Sequence, residues 1–367
     1  MKKSVITLAL VLVIALLTGC AGTPVVYYSD CTCPTGAHTE TTPVESTPVE
    51  TTHPVESTPV AEGAVKTGLA IVASAGESKS AGDADGEAKY DASVVAVTVD
   101  DNGVIQSCII DSIGTSVLFD VNGAIVSDLT AEVPTKNELG DGYNMKTYGG
   151  AVAEWYEQAA ALASYACGKT VEELRAGAVD ETGHAVDADL ATTATIYLGG
   201  YVSAIEKAVA NAQHLGAQAG DELKLAIVSS VDGSTPADAE NAGLAQLYTN
   251  AAAVTVKDGV ITSCYIDAVQ AKVNFDATGT VTTDLTAPIL TKNELGDGYN
   301  MKTYGGAIAE WYEQAASFAS YITGKTADEV AGIAVDETTK PTDADLLTSV
   351  TIKIGEFQNL IAKALNG

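Results

Sequence analysis

Apolar and polar residues alternate along two similar stretches of the chain, and a glycine-containing turn interrupts each stretch. β-Branched residues alternate on both sides of the turn at residues 101–103, and again on both sides of the turn at residues 257–259. A period of two around such a turn predicts a β-hairpin. Short apolar runs at residues 69–72 and 225–228 precede these hairpins, so each half is predicted to begin as an antiparallel meander. Later glycine turns predict a second hairpin in each half, over residues 119–129 and 275–285.

Farther along each half, apolar residues recur at spacings of three and four, which is typical of one helix face. The first stripe comprises Val152, Trp155, Ala159, Leu162 and Ala166, with Ile308, Trp311, Ala315, Phe318 and Ile322 as its later counterpart. This helix would bury both tryptophans and leave Gln158 and Gln314 on its polar side. The second stripe comprises Leu190, Ala194, Leu198, Tyr201 and Ile205, with Leu346, Val350, Ile354, Phe357 and Ile361 as its counterpart. It predicts one continuous closing helix in each half, beginning near Asp187 or Asp343.

One segment occurs twice almost unchanged. Residues 135–160 read TKNELGDGYNMKTYGGAVAEWYEQAA, and residues 291–316 differ from them at a single aliphatic position. A match of this length without low-complexity bias indicates two copies of one structural unit. The expected fold is therefore α+β, with two tandem repeats at residues 64–214 and 215–367, each an antiparallel meander packed with two main α-helices.

The composition predicts a strongly acidic surface. The formal net charge is −29 over 367 residues, and the hydrophobic fraction of 46% includes few aromatic residues. Such a charge repels phosphate backbones, which argues against nucleic acid as a partner. The chain is long enough for two domains of ordinary size, each with its own core.

The N-terminal segment carries an export signal. Two lysines precede the apolar run Val5–Leu17, which is too short to cross a bilayer comfortably. The run ends at Leu17-Thr18-Gly19-Cys20, which resembles the lipobox of bacterial lipoproteins. The resemblance implies that residues 1–19 are a signal peptide and that acylated Cys20 anchors the protein in the lipid bilayer, on the extracytoplasmic face of the cell membrane. A secretory signal with an incidental cysteine is the alternative.

Residues 20–63 are predicted to form a disordered tether. They repeat PVEST and PVETT motifs, and this composition buries too little apolar surface to fold. Cys31 and Cys33 form a C-x-C pair without a second pair, which argues against a zinc site. Cys108 and Cys264 fall in predicted strands as small buried residues. No metal site is expected, since no histidine recurs in both halves.

The predicted start of the closing helix has the clearest candidate chemistry. It reads DLATTAT at residues 189–195 and DLLTSVT at residues 345–351. Free amides and the positive end of the helix dipole favour a phosphate there. The hydroxyl groups that would lie near it belong to Thr192, Thr195, Thr348 and Thr351. The alternative is that these hydroxyls only cap the helix, which requires no ligand.

These motifs resemble the FMN-binding domain family of bacterial redox subunits and surface flavoproteins. The family motif Asp-x-x-[Ser/Thr]-Gly-Ala-[Ser/Thr] is matched at Asp189, Thr192, Ala194 and Thr195, and at Asp345, Thr348 and Thr351. Thr193 and Ser349 replace its glycine, and Val350 replaces its alanine. The loops that resemble the family's glycine-rich loop beside the flavin ring contain Glu138, Gly140 and Gly142, and Glu294, Gly296 and Gly298.

The resemblance implies FMN as the cofactor and electron transfer, rather than substrate turnover, as the activity. In the family, the last hydroxyl of the motif carries FMN through a phosphoester. That role falls on Thr195 and Thr351, with non-covalent binding as the alternative because the glycine is missing. A flavin transferase and a membrane redox donor would be partners. The alternative function is a non-enzymatic cell-envelope interaction module that retains the fold without flavin.

Overall fold

The computed structural model describes residues 63–366, all within one compact unit. The predicted signal peptide, the lipid site Cys20, the Cys31–Cys33 pair and the tether up to residue 62 lie outside the described residues, as does Gly367. The described chain is mixed α and β, with two three-stranded antiparallel sheets and their helices. This agrees with the expected α+β class.

Each half begins with one of the two sheets. The strand order is β1-β2-β3 in the first sheet and β4-β5-β6 in the second. The strands are β1 Lys66–Ser74, β2 Gly86–Val99, β3 Ile105–Phe119, β4 Glu222–Ser230, β5 Gly243–Lys257 and β6 Val260–Phe275. The first predicted hairpin of each half is confirmed as β2–β3 and β5–β6, each with a register irregularity beside its turn.

The second predicted hairpin of each half is a tight turn instead. Within residues 119–129 the bridging pair is Phe119 with Ile125, and within residues 275–285 it is Phe275 with Val281. Oδ1 of Asp120 accepts hydrogen bonds from two amides of the turn, at 2.8 and 2.9 Å. The aspartate thus satisfies the backbone locally, which removes the need for a strand ladder.

Helices form the remainder of each half. In the first half they are α1 Lys136–Leu139, α2 Met145–Gly149, α3 Trp155–Ala166, α4 Val171–Gly177, α5 Ala188–Thr193 and α6 Gly199–Ala210. In the second half they are α7 Lys292–Leu295, α8 Met301–Gly305, α9 Trp311–Ile322, α10 Ala327–Ala331 and α11 Gly355–Asn366. The 3₁₀ turn Leu346–Thr348 stands where the first half has α5.

Alternation along the strands divides the side chains between two kinds of core. On β2, Val95 and Val97 pack against the helices of the first half, whereas Val94 and Ala96 pack against the second sheet. Strand β5 divides its residues in the same way. Because successive side chains of a strand point to opposite faces, the sheets meet face to face and the helices cover their outer faces. The order of layers is helices, sheet, sheet, helices.

The closing helix is broken in both halves, which corrects the prediction of one continuous helix. Residues 194–198 separate α5 from α6, and residues 349–354 separate the 3₁₀ turn from α11. Ala194 has an extended backbone, with φ −108° and ψ 102°. The apolar spacing survives the break, because both pieces bury their apolar residues in the same core.

Helices α3 and α9, which precede the closing segment of each half, begin later than predicted. Val152 and Ile308 precede α3 and α9 and are 60% and 52% exposed, so they do not belong to the apolar stripe. Oε2 of Glu157 and Oε2 of Glu313 accept from the backbone amides of Glu154 and Glu310, at 2.7 and 2.8 Å, which fixes the first turns of the two helices. Trp155 and Trp311 are buried, as predicted.

Candidate functional site

Gln158 and Gln314 are fully buried, contrary to their predicted place on the polar side of the helix. Oε1 of Gln158 accepts hydrogen bonds from the amides of Thr195 and Ile196, at 2.8 and 3.0 Å. Its Nε2 donates to the carbonyl of Ala153 at 2.8 Å. Gln314 makes the matching bonds to Thr351, Ile352 and Ala309. The buried side-chain amide is satisfied at both ends and holds the threonine turn against α3 or α9.

The hydroxyls predicted to carry flavin lie at the edge of this arrangement. Thr195 is exposed and Thr351 is partly exposed, and their hydroxyls lie 3.4 and 3.2 Å from Oε1 of the glutamine. Helix α5 begins beside Asp187, as predicted, but Thr195 lies beyond its end, and the glutamine occupies the amides of Thr195 and Ile196. The turn therefore presents a hydroxyl, and those two amides are not free to bind phosphate.

The other residues of the motif form a capped helix end. Oγ1 of Thr192 donates to the carbonyl of Asp189 at 2.7 Å, and Thr348 donates to the carbonyl of Asp345 at 2.7 Å. Oδ1 of Asp187 accepts from the first amides of α5, at 3.0 Å each. All four motif residues are exposed. The threonine hydroxyls bond back to a carbonyl of their own turn and Asp187 supplies the cap, and none of these contacts requires a ligand.

The glycine-rich loops follow α1 and α7. Gly140 has φ 49° and ψ −127°, and Gly296 has φ 50° and ψ −128°, a region that favours glycine. A side chain at Gly142 or Gly298 would meet nothing within 4 Å. The first glycine of each loop thus has a conformational role, and the second faces open space.

The glutamates of these loops are engaged within the fold. Oε2 of Glu138 accepts from the amide of Thr135 at 2.8 Å, which completes a capping box, and Oε1 lies 2.6 Å from Nζ of Lys363 in the other half. Glu294 likewise pairs with Lys207 at 2.7 Å. Burial opposes ionisation, but the lysine and the backbone amide outweigh it and hold the pKa of Glu138 below its ordinary value.

Two buried aspartates that the sequence reasoning missed position these loops. Oδ1 of Asp267 accepts from the amides of Ala268 and Asn293, at 2.7 and 3.1 Å, and so ties α7 to β6. Burial raises the pKa of Asp267 to about 6, partly offset by the Thr291 hydroxyl and these amides. Asp111 plays the same part in the first half. The recurring Ile-Asp that closes each alternating stretch is the signal that could have found them.

The segment that contains the short helix α2 carries an exposed aromatic residue. The buried carboxylate of Glu154 accepts from the amides of Met145 and Lys146, at 2.8 and 3.1 Å, and so fixes the start of α2. Tyr148 on α2 is 86% exposed, as is its counterpart Tyr304 on α8. Nε2 of Gln158 lies 3.4 Å from Sδ of Met145, so one buried glutamine contacts both this segment and the threonine turn.

Two grooves occupy corresponding places between a strand and a helix. The first, of about 400 Å³, lies between β3 and α3; its lining includes Cys108, Ile110, Asn137, Tyr156, Ser164 and Cys167. The second, of about 830 Å³, lies between β6 and α9; its lining includes Cys264, Ile266, Asn293, Tyr312, Ser320 and Thr323. Residues 213–215 add a wall to the second groove. None of the residues predicted to bind flavin lines either groove.

A buried lysine on α7 lies against three aromatic rings. Nζ of Lys292 donates to the hydroxyl of Tyr248 at 2.9 Å and lies 4.6, 4.7 and 5.1 Å from the ring centroids of Tyr248, Trp311 and Tyr299. Burial lowers its pKa to about 8, against the raising effect of Glu356. Lys136, its counterpart, contacts two rings and is only partly buried.

Within residues 63–366, no group of three or more histidine, cysteine or acidic side chains is arranged to hold a metal ion. No helix of that same region is both long and apolar enough to cross a membrane. No family model, curated protein or solved structure matches the chain.

Proposed function

We propose that the protein is a surface lipoprotein of two tandem repeats, anchored through acylated Cys20, that carries FMN for extracytoplasmic electron transfer. FMN is joined to Thr195 and Thr351 through phosphoester bonds. The observation that carries the proposal is the threonine hydroxyl held at the surface by a buried glutamine, in the same way in both halves. The shared order of elements and the nearly identical loop segment support the duplication.

The threonine turn fits an esterified phosphate better than one bound only by backbone amides. Gln158 occupies the amides of Thr195 and Ile196, which would otherwise be available to a free phosphate. An ester requires the hydroxyl and access for a flavin transferase, and Thr195 is exposed. The covalent form is therefore the one we propose, although the family's glycine is missing from the motif.

FMN supplies reversible electron transfer when bound, and the chain sets the conditions for it. Tyr148 and Tyr304 offer exposed ring faces, on the loops that the buried glutamines contact, against which a flavin ring can stack. The net charge of −29 disfavours a more anionic, reduced cofactor and so lowers its potential. A membrane redox donor would supply the electrons.

Intact mass and the visible spectrum of the full chain, co-expressed with a flavin transferase, test this function. We expect yellow protein carrying two FMN groups. Thr195→Val or Thr351→Val should each remove one group, and the double variant should remove both. Thr192→Val is the matched control, because that hydroxyl is occupied by the carbonyl of Asp189 and should not affect loading. A double variant that keeps its flavin mass would contradict the assignment.

The second candidate is a non-enzymatic cell-envelope interaction module that retains the fold without flavin. The two corresponding grooves favour it, because they offer binding surfaces that contain none of the predicted flavin residues. Colourless protein of unmodified mass after co-expression would favour this function over electron transfer.

A further inference from the structure

The groove of the first half has a thiol on each side. Cys108 lies on the edge strand β3, and Cys167 follows the last residue of α3. Both are free and partly buried, and both line the groove of about 400 Å³. Neither cysteine belongs to the residues predicted to bind flavin, so a separate role for the pair is considered.

Backbone hydrogen bonds fix the strand and the helix end beside each other. The amide of Ile105 donates to the carbonyl of Lys169 at 2.9 Å, and the amide of Gly168 donates to the carbonyl of Ile105 at 2.8 Å. Sγ of Cys167 donates to the carbonyl of Ala163 at 3.4 Å, which places the sulfur at the end of α3. The backbone hydrogen bonds lie within two residues of Cys167 and three of Cys108, and both cysteines line the same groove, so their side chains face a shared space.

We propose that Cys108 and Cys167 form a disulfide that ties the end of α3 to the edge of the first sheet. The oxidant is a low-mass disulfide such as oxidised glutathione. The Cys167 thiolate attacks one of its sulfurs and releases one thiolate; the Cys108 thiolate then attacks Sγ of Cys167 and releases the second. The protein loses two protons and two electrons, and the oxidant becomes two thiols.

The environment sets the order and the pH dependence of these steps. Burial raises the pKa of both thiols, and the amide of Cys108 partly offsets this effect at Cys167. Cys167, at the helix end, is therefore the thiol that reacts first with the external disulfide. Because thiolate is the reactive form, oxidation is slow near pH 7 and faster near pH 9.

The second half offers a matched control in the same chain. Cys264 corresponds to Cys108, but Thr323 stands where the first half has Cys167, and both line the larger groove. Thr323 donates to the carbonyl of Ala319, as Cys167 does to Ala163. A thiol at residue 323 would thus face Cys264 in the same geometry, so Thr323→Cys should create a second disulfide.

The experiment treats the folded, reduced full chain with oxidised glutathione at pH 9, alkylates the remaining thiols, and maps a non-reduced digest by mass spectrometry. We expect a peptide linked through Cys108 and Cys167, with Cys264 alkylated, and a thermal midpoint raised by about 5 °C that dithiothreitol reverses. Thr323→Cys should add a peptide linked through Cys264 and residue 323.

Three outcomes would overturn the proposal. Alkylation of both Cys108 and Cys167 after oxidation would show that the pair does not react. A lasting glutathione adduct on Cys167 would show that Cys108 cannot reach it. A link from Cys167 to Cys31 or Cys33 would assign Cys167 a different partner.

Discussion

The burial of the Asp267 carboxylate makes the free energy of unfolding depend on pH. Its pKa is about 6 in the folded chain, compared with an ordinary value near 3.9. The folded state therefore binds the proton more tightly than the unfolded state. The stability that this proton contributes is complete below pH 3.9 and is lost as the pH rises through 6.

Asp267→Asn should remove this dependence while keeping an oxygen that accepts from Ala268 and Asn293. Relative to wild type, we expect the free energy of unfolding to rise between pH 4 and pH 6, by up to about 3 kcal/mol. Urea denaturation at several pH values measures the difference. Asp111→Asn should show a change of the same sign, since burial also raises that pKa. A difference that does not vary with pH would contradict the assignment.

Gln158 shows how one buried amide can hold a candidate site. Gln158→Met keeps the length of the side chain but leaves the amides of Thr195 and Ile196 and the carbonyl of Ala153 without their partner. We expect a loss of about 2–4 kcal/mol in the free energy of unfolding, measured by urea denaturation. Gln106→Met is the control; its side chain is exposed, and the change should stay within about 0.5 kcal/mol.

Sequence patterning alone could not have identified the role of these glutamines. The apolar spacing correctly placed Trp155 and Trp311 in the core, but it assigned Gln158 to solvent because glutamine is usually exposed. The burial depends on the broken closing segment, whose amides are distant in sequence. The spacing of apolar residues within one helix cannot predict the burial of a polar residue whose hydrogen-bond partner is distant in the sequence.

Among the elements, α6 approaches β1 so closely that only glycine fits between them. A Cβ at Gly68 would lie 2.1 Å from the carbonyl oxygen of Ala208. Gly68→Ala should therefore push α6 away and cost about 1–3 kcal/mol, measured by thermal or urea denaturation. Gly114→Ala on β3 is the control, because its Cβ would meet only Asp91 Oδ1, at 3.5 Å. Equal effects of the two substitutions would contradict this account.

Among the elements, the hairpins β2–β3 and β5–β6 could be predicted from the sequence, because the alternation of apolar and polar residues and the glycine turn are both local signals. The sequence did not predict the break before α6 or α11. Both pieces bury apolar residues in one core, so the spacing continues through the break and resembles a single helix. The glycine-rich loops were recognised from their repetition, whereas the salt bridges of Glu138 and Glu294 to the opposite half depend on tertiary packing.

Over the whole molecule, the two halves share cores between their sheets. Phe119 and Phe275 stack there with ring centroids 4.0 Å apart and planes inclined by 5°. Phe119→Ala should cost about 3–5 kcal/mol and weaken both halves together, since it removes packing from both sheets. Leu118→Ala, on the exposed side of the same strand, is the control.

Native-state hydrogen exchange with mass spectrometry measures this effect in each half separately. Loss of protection in both β2 and β5 is expected in the Phe119→Ala variant. Loss confined to the first half would show that the halves are stabilised independently of each other.

Each glycine-rich loop is bridged to the last helix of the opposite half, Glu138 to Lys363 and Glu294 to Lys207. Those helices, α11 and α6, directly follow the threonine turns at Thr351 and Thr195. Each threonine turn is therefore joined, through the helix that follows it and one salt bridge, to the glycine-rich loop of the opposite half. The two connections run in opposite directions, so each half holds a loop of the other in place.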